Sequence, residues 1–129
     1  MNATSKLNRA LGLLFDARGR CFDPRHRTWN ASSSPGIGEV VDSRGATAWL
    51  QRESRFPVRV PVGVIGPREA SNAQLQAAES VGRGLAEMGL TVICGGRHGV
   101  MEAVCRGVSA GGGISVGLLP DADPSFANP

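Results

Sequence analysis

The second half of the chain alternates between short apolar runs and longer amphipathic stretches. The apolar runs cover residues 62–66, 90–94 and 114–119. Runs of this length are typical of strands buried on both faces of a parallel sheet. Between them, apolar residues recur every three to four positions, which predicts one helix over residues 71–88 and a second over 100–110. The pattern therefore predicts an α/β fold: a Rossmann-like three-layer unit with a short parallel sheet over residues 58–129.

Local signals mark the ends of these two helices. Ser71 followed by Gln74 is the pattern of a capping box, which starts a helix. Gly89 is the expected C-cap of the first helix, and the glycines at 111–113 stop the second. A sheet of only three parallel strands leaves one edge bare, and we expect some apolar helix surface to be uncovered.

The first 57 residues give a weaker pattern, interpreted as a small N-terminal hairpin and helix extension. We expect a frayed, polar start over residues 1–9 and a hairpin over 11–23 with its turn at Gly19. Residues 28–41 are rich in Ser, Gly and Pro and are interpreted as a loop.

A short helix is predicted after that loop. Ser43 is its expected N-cap, and apolar residues at helical spacing continue the helix through Arg55. The helix ends before Pro57, because the residue that precedes a proline avoids the α region. The chain is thus divided into an extension over residues 1–57 and a Rossmann-like unit over 58–129.

Composition narrows the classes of function. The 18 glycines and the 5% of aromatic residues favour a fold of tight turns over an aromatic-rich sandwich. No apolar run is long enough for a membrane span or a secretory signal, so we expect a cytoplasmic protein with no membrane partner.

The basic residues are concentrated in the N-terminal part of the chain. Residues 1–59 carry ten basic against five acidic residues, and residues 60–129 carry four against six. The N-terminal excess lacks interleaved aromatics, which favours a solvated basic face over a nucleic-acid partner.

The three cysteines give little sign of metal or disulfide chemistry. Cys21, Cys94 and Cys105 are widely spaced and contain no CxxC pair, which argues against a disulfide framework and a zinc site. No metal is expected. Cys94 and Cys105 lie in apolar patterns and are interpreted as buried, reduced thiols.

A phosphate site is predicted at the sheet edge where ligands of open α/β folds bind, beyond the carboxyl ends of the strands. Residues 66–69, 95–99 and 120–123 follow the three strands. The sequence Gly-Gly-Arg-His-Gly at 95–99 precedes a helix, so its amides and the positive end of the helix dipole can point at one anion. The predicted phosphate-binding residues are Gly66, Arg68, Gly95, Gly96, Arg97 and Gly99. The alternative is structural: these glycines permit a tight turn and close packing of helix on strand.

No catalytic residue is predicted. The loop is neither GxGxxG nor a Walker loop, which disfavours NAD and ATPase assignments. His98 has no paired nucleophile, so a solvent-facing loop histidine is favoured over a catalytic base. Glu102 lies in the first turn of the following helix, where the helix dipole favours an acid whether or not it acts as a general base.

Beyond these patterns, the sequence resembles a known family. The resemblance rests on residues 62–66, 82–89, 92–96, 99–103, 116–120 and 127–129. These segments are similar to the first half of the LOG-like Rossmann proteins, a bacterial group once labelled lysine decarboxylases. Within that superfamily (SLOG), which includes the DNA-processing protein DprA/Smf, the similarity is greatest to the molybdenum-cofactor carrier subgroup. The resemblance implies a phosphate-bearing ligand, either a nucleotide or the molybdenum cofactor.

One element of the family is not found in this sequence. Family members continue past the Asn-Pro of 128–129 to a second Gly-rich element, which in the phosphoribohydrolase branch supplies a second phosphate loop and the catalytic Glu. We therefore expect a chain that lacks the C-terminal half: either a truncated gene product or one that completes itself as a homo-oligomer. The resemblance then implies non-catalytic binding of a phosphorylated small molecule. The alternatives are a nucleoside-monophosphate phosphoribohydrolase when complete, and a DNA-associated protein like DprA.

Overall fold

A computed structural model describes residues 4–34, 36–120 and 122–129 of the chain. The chain divides into two compact units, Met1–Val58 and Arg59–Pro129. The first unit holds an antiparallel sheet and one helix, and the second holds a parallel sheet and two helices. Within the described ranges, no helix has both the length and the apolar character needed to cross a membrane.

The N-terminal unit is a five-stranded antiparallel sheet followed by a helix. Its strands are β1 (Ser5–Asn8), β2 (Leu13–Phe15), β3 (Cys21–Asp23), β4 (Thr28–Asn30) and β5 (Glu39–Val41), in the spatial order β4-β3-β2-β1-β5. The helix α1 covers Ser43–Arg52. Leu7, Leu14 and Trp49 form the buried centre of this unit. The helix therefore packs its apolar side against β1 and β2.

The sequence predicted part of this sheet. The expected hairpin is present, because β2 pairs with β3 across a turn in which Asp16 accepts the N–H groups of Arg18 and Arg20 at 2.9 Å. The frayed start is wrong for the described part of residues 1–9, since β1 lies there. The expected loop over 28–41 is also wrong, because it contains β4 and β5. Both errors concern strands of three or four residues, too short to show an alternating pattern.

The helix α1 begins and ends earlier than the sequence predicted. Asp42, rather than Ser43, is the N-cap, and its carboxylate accepts the N–H of Gly45 at 2.8 Å. The helix ends at Arg52 instead of Arg55. Arg55 has a φ of 65°, a conformation that no helix accommodates.

The C-terminal unit has the predicted β-α-β-α-β order. Its elements are β6 (Val62–Val64), α2 (Asn72–Glu87), β7 (Val92–Cys94), α3 (Val100–Ala110) and β8 (Ser115–Gly117), followed by a short 3-10 helix at Pro124–Phe126. The three strands are parallel and lie in the order β6-β7-β8. The predicted helices are confirmed, and the strands are shorter than the apolar runs that predicted them.

The capping signals act as the sequence indicated. Ser71 accepts the N–H of Gln74 at 3.3 Å, and the Gln74 side chain accepts the N–H of Ser71 at 2.9 Å, which completes a capping box. At the other end of α2 the C-cap is Met88, one residue before the expected Gly89. Gly89 follows with a φ of 78° and donates its N–H to the carbonyl of Ala86 at 2.8 Å. Only glycine adopts this left-handed conformation without strain, so α2 stops there.

The helices α2 and α3 pack directly against each other through two glycines. A Cβ added at Gly82 would lie 2.2 Å from the carbonyl oxygen of Val104, and one added at Gly107 would lie 2.0 Å from that of Glu79. Real Cβ atoms do not approach a carbonyl so closely. The glycines therefore bring the two backbones nearer than any side chain permits.

Both helices lie on the same face of the parallel sheet. Val92 of β7 is fully buried in one cluster with Ala78 and Ala86 of α2 and with Val104 and Val108 of α3. Strands in sequential order with right-handed crossovers place their helices on one side, which accounts for this arrangement. The described residues thus form two of the three layers of the predicted fold: the sheet and one helical layer.

The opposite face of the sheet is apolar and exposed. Side chains alternate along a strand, so Ile93 lies on this face with its register partners Gly63 and Val116. Ile65 and Leu118 continue the same alternation and are 90% and 61% exposed. The expectation that the strands are buried on both faces is therefore wrong for the described residues. Most of the apolar surface left open belongs to the sheet, and on α2 the side chain of Val81 is 54% exposed, as expected for a partly uncovered helix.

We predict that Gly107→Ala destabilises the protein. A Gly-to-Ala change in an exposed helix stabilises by about 1 kcal/mol. Here the added methyl meets the Glu79 carbonyl, so overpacking reverses the sign and lowers the free energy of unfolding by about 1–3 kcal/mol. Urea unfolding of the full chain measures the change.

The matched control is Gly63→Ala, where an added Cβ meets nothing within 4 Å. Its free energy of unfolding is expected to stay within about 0.5 kcal/mol of the unsubstituted chain. Equal effects of the two substitutions would contradict the close approach of α2 and α3.

Candidate functional site

The parallel strands bring the three predicted segments to one edge of the sheet. Val64, Cys94 and Gly117 are register partners at the carboxyl ends of β6, β7 and β8. The 95–99 loop leaves the central strand, so it lies between residues 66–69 and the segment after β8. Within that last segment, Asp121 lies outside the described residues.

The loop is packed tightly against the segment after β6. Gly99 has a φ of 78°, and a Cβ there would lie 2.4 Å from the carbonyl oxygens of both Pro67 and Arg68. The N–H of Val100 donates to the Pro67 carbonyl at 3.2 Å. A Cβ at Gly66 would in turn lie 2.5 Å from a methyl of Val100. Gly66 and Gly99 therefore have a packing reason to be glycine, whether or not a ligand binds.

The loop also touches the segment after β8. Gly96 is buried with a φ of 66°, and a Cβ there would lie 3.2 Å from the Leu119 side chain and 3.3 Å from the Gly117 backbone. The N–H of Leu118 donates to the carbonyl of Cys94, where the loop begins, at 2.8 Å. The predicted site residues of the first two segments are thus brought together, and the third segment supports the loop from the other side.

Asn128 holds the loop and was not among the predicted site residues. Its backbone N–H donates to the carbonyl of Gly96 at 2.8 Å, and its side-chain amide donates to the carbonyl of Arg97 at 3.0 Å. In the sequence it contributes only an Asn-Pro pair to the family resemblance. No local signal assigns it this role, because its partners lie about 30 residues away along the chain.

The two bonds from Asn128 fix the direction of the next two amides. In a trans peptide the N–H of one residue points opposite to the carbonyl of the residue before it, and the described residues contain no cis peptide. The carbonyls of Gly96 and Arg97 both point at Asn128. The N–H groups of Arg97 and His98 therefore both point away from Asn128, and neither donates to another described residue.

The two predicted arginines belong to the loop and to the segment packed against it. Arg97 belongs to the loop itself and is half-buried, while Arg68 is exposed on the segment that packs against Gly99. Neither side chain forms an ion pair with another residue in the described parts of the chain. The same parts contain no group of three or more His, Cys, Asp or Glu side chains arranged to hold a metal ion.

Glu102 already has two partners. His98 Nδ1 lies 3.0 Å from one carboxylate oxygen of Glu102, and Arg106 Nη1 lies 3.2 Å from the other. His98 is exposed, as the sequence predicted for a loop histidine. The pair spans the loop and the first turn of α3, where the helix dipole favours an acid. The contacts agree with the structural interpretation of both residues.

Two thiols lie behind the loop. Cys94 and Cys105 are reduced, and their Sγ atoms are 3.6 Å apart. Burial raises the pKa of the Cys94 thiol; the Gly96 N–H lowers it in part, and the neighbouring Cys105 raises it further. The N–H of Gly96 donates to Cys94 Sγ at 3.3 Å, so this sulfur is in direct contact with the loop.

Comparison with known proteins gives one family and two relatives. The family model described as the SLOG cluster4 family matches residues 59–128. An uncharacterised protein of Archaeoglobus fulgidus is 42% identical over 59 residues, which are 46% of this chain and 39% of that protein. A solved structure of the molybdenum cofactor carrier protein of Chlamydomonas reinhardtii is 35% identical with a TM-score of 0.47, covering 50% of this chain and 42% of that one. The chain thus spans about two-fifths of the length of each relative.

We predict that Asn128→Ala loosens the loop. The substitution leaves the carbonyl of Arg97 without its donor, so the free energy of unfolding falls by about 1 kcal/mol. Hydrogen exchange of the Gly96 and Val100 amides, which are hydrogen-bonded at the two ends of the loop, becomes faster because the loop opens more often.

Asn72→Ala is the matched control, since this asparagine is exposed at the start of α2. Its exchange at Gly96 and Val100 is expected to equal that of the unsubstituted chain. Unchanged exchange at these two amides in Asn128→Ala would show that the side chain does not hold the loop.

Proposed function

The chain belongs to the SLOG cluster4 family, and we propose that it is a binding module for a phosphorylated small molecule, a nucleotide or a pterin-type cofactor. The proposed site is the 95–99 loop at the N-terminus of α3. The predicted residues Gly66, Arg68, Gly95, Gly96, Arg97 and Gly99 form or border it.

One observation carries the proposal: Asn128 binds the carbonyls of Gly96 and Arg97, so the Arg97 and His98 amides point away from it and have no acceptor among the described residues. Successive free N–H groups in a loop form a site for an anion, and we propose that phosphate oxygens accept from them. The N-terminus of α3 directs the positive end of its dipole toward the same place. Gly99, the N-cap of α3, has no side chain to cap the helix. A phosphate would take the position that a capping oxygen occupies in other helices.

The charges nearby fit a phosphate. The Arg97 and Arg68 guanidinium groups together carry two positive charges, which balance a phosphate dianion. Two acids lie in the same region: Glu102 contacts His98 and Arg106, and the exposed Glu69 follows Arg68 in the chain. We propose that Arg97 and Arg68 supply the positive charge that a phosphate meets at the loop. Exposed charges of this kind are screened by salt, so we propose binding that weakens as ionic strength rises.

The proposed role is binding without catalysis. Glu102 is the one carboxylate in the first turn of α3, and both of its oxygens are engaged by other side chains. These two contacts hold the carboxylate beside the loop and α3, and we propose a structural role for Glu102. The ligand class we propose includes phosphate-bearing pterins, as the sequence resemblance to the molybdenum-cofactor carrier subgroup implies.

We predict that phosphate-bearing compounds stabilise the protein. Inorganic phosphate, pyrophosphate and AMP are compared with adenosine, which lacks phosphate, in a thermal unfolding experiment. At a concentration 100 times the dissociation constant, a ligand stabilises by about 2.7 kcal/mol, which raises the Tm by roughly 10 °C. Adenosine produces no shift. A chain whose Tm responds to none of the three phosphate compounds contradicts the proposal.

Arg97→Gln is the variant that tests the site. Loss of one charge-assisted contact weakens binding about tenfold or more, with the unliganded Tm unchanged. Arg83→Gln is the matched control, because Arg83 is exposed in α2, away from the loop. Gly96→Val is expected to abolish the shift, although its positive φ and the contact with Leu119 also strain the unliganded fold. Equal affinity in Arg97→Gln and Arg83→Gln would place the ligand elsewhere.

A further inference from the structure

Two cysteines that are distant in sequence meet beneath the loop. Cys94 is the last residue of β7, and Cys105 lies in the middle of α3. Both point into the space between the sheet and the helix, and their sulfur atoms are in van der Waals contact at 3.6 Å. A disulfide bond is about 2.05 Å long, so the two atoms need to approach by only about 1.5 Å to form one.

The two thiols differ in access to solvent. Cys94 is buried, while Cys105 is half-buried and lines an open cleft of about 760 Å³ together with Gly117 and Asn128. A small molecule can therefore reach Cys105 from the cleft. Cys94 is reached through Cys105, its neighbour.

Each sulfur is also bonded to a group that shapes the loop. Cys94 Sγ accepts the N–H of Gly96 at 3.3 Å. Cys105 Sγ lies 3.8 Å from the side-chain nitrogen of Asn128, the same nitrogen that holds the carbonyl of Arg97. A movement of the sulfurs toward each other changes both contacts. The thiol pair is thus connected to the two residues that set the direction of the loop amides.

We propose that Cys94 and Cys105 are a redox-active pair that closes to a reversible disulfide by exchange with a small-molecule disulfide, and that closure loosens the 95–99 loop. The proposal concerns the state of the loop and does not require a bound ligand.

The exchange has two steps. In the first, the Cys105 thiolate attacks one sulfur of the small disulfide, which forms a mixed disulfide and expels one thiolate. In the second, the Cys94 thiolate attacks Cys105 Sγ, breaks the mixed disulfide and expels the second thiolate. The two protein thiols lose two electrons in total, and the small disulfide gains them. The two protons lost by the cysteines end on the two released thiols.

The second step depends on pH. Burial raises the pKa of the Cys94 thiol above its ordinary value, so little of it is thiolate at neutral pH. While the pH is below that pKa, each added pH unit raises the thiolate fraction, and hence the closure rate, by about tenfold.

The test uses the full chain, reduced and then treated with oxidised glutathione. The expected product has lost about 2 Da, the mass of the two thiol hydrogens, and recovers it with dithiothreitol. Peptide mapping places the bond between Cys94 and Cys105. Cys21→Ser is the matched control, because this third cysteine lies in the other unit, and it gives the same product.

Two variants separate the steps. Cys105→Ser blocks the first step and leaves Cys94 unmodified, while Cys94→Ser stops after the first step with glutathione on Cys105. If the hydroxyl introduced by Cys94→Ser destabilises the buried site, Cys94→Ala replaces it and gives the same adduct, with glutathione on Cys105. A bond that involves Cys21, or a closed product in either single variant, overturns the assignment.

Hydrogen exchange tests the connection to the loop. In the Cys21→Ser chain, the hydrogen-bonded amides of Gly96 and Val100 are expected to exchange faster in the closed form than in the reduced form, while those of α1 exchange equally in both. A closed form with unchanged exchange at these two amides overturns the link between the disulfide and the loop.

Discussion

The close contact between α2 and α3 is the constraint on which the geometry of the C-terminal unit depends. At Gly82 and Gly107 the two helix backbones approach within a distance that excludes any Cβ atom. The contact fixes α3 beside α2 on one face of the sheet, and with it the start of α3 at Val100. The loop before α3 is then held against Pro67 and Arg68, where Gly99 leaves room for their carbonyls. Tight helix packing thus determines where the candidate site lies.

The same contact has a consequence for the opposite face of the sheet. Since both helices cover one side, the apolar side chains of Ile65, Ile93, Val116 and Leu118 line a face that the described residues leave open. Contiguous apolar surface of this kind marks places where proteins associate. The matched family segment, residues 59–128, contains this whole sheet. Association through this face into a homo-oligomer remains a prediction. The cytoplasmic location and the absence of a nucleic-acid partner also remain predictions.

The glycines of the loop have structural roles that do not require a bound phosphate. Gly66 and Gly99 make close backbone contacts, and Gly96 adopts a positive φ in a crowded position. These facts agree with the structural alternative that the sequence left open, so a Gly-rich loop by itself is weak support for a phosphate. The stronger support comes from Asn128, which orients two carbonyls one way and thereby two amides the other. The arginines add charge, but the amides give the site its geometry.

The sequence by itself determined the family, confirmed by the matched model, and the α/β order of residues 59–129. It did so because helix periodicity, the Ser71–Gln74 capping box and Gly89 are local signals, read within a few residues of where they act. In the described part of residues 1–41 it predicted the hairpin at Gly19 but missed β1, β4 and β5, because β1 pairs with β5 across more than 30 residues and these strands are too short to show a period. Only the tertiary structure decided the one-sided helical layer, the role of Asn128 and the meeting of Cys94 with Cys105. Each of these depends on side chains or peptides from separate elements, and packing alone brings such groups together.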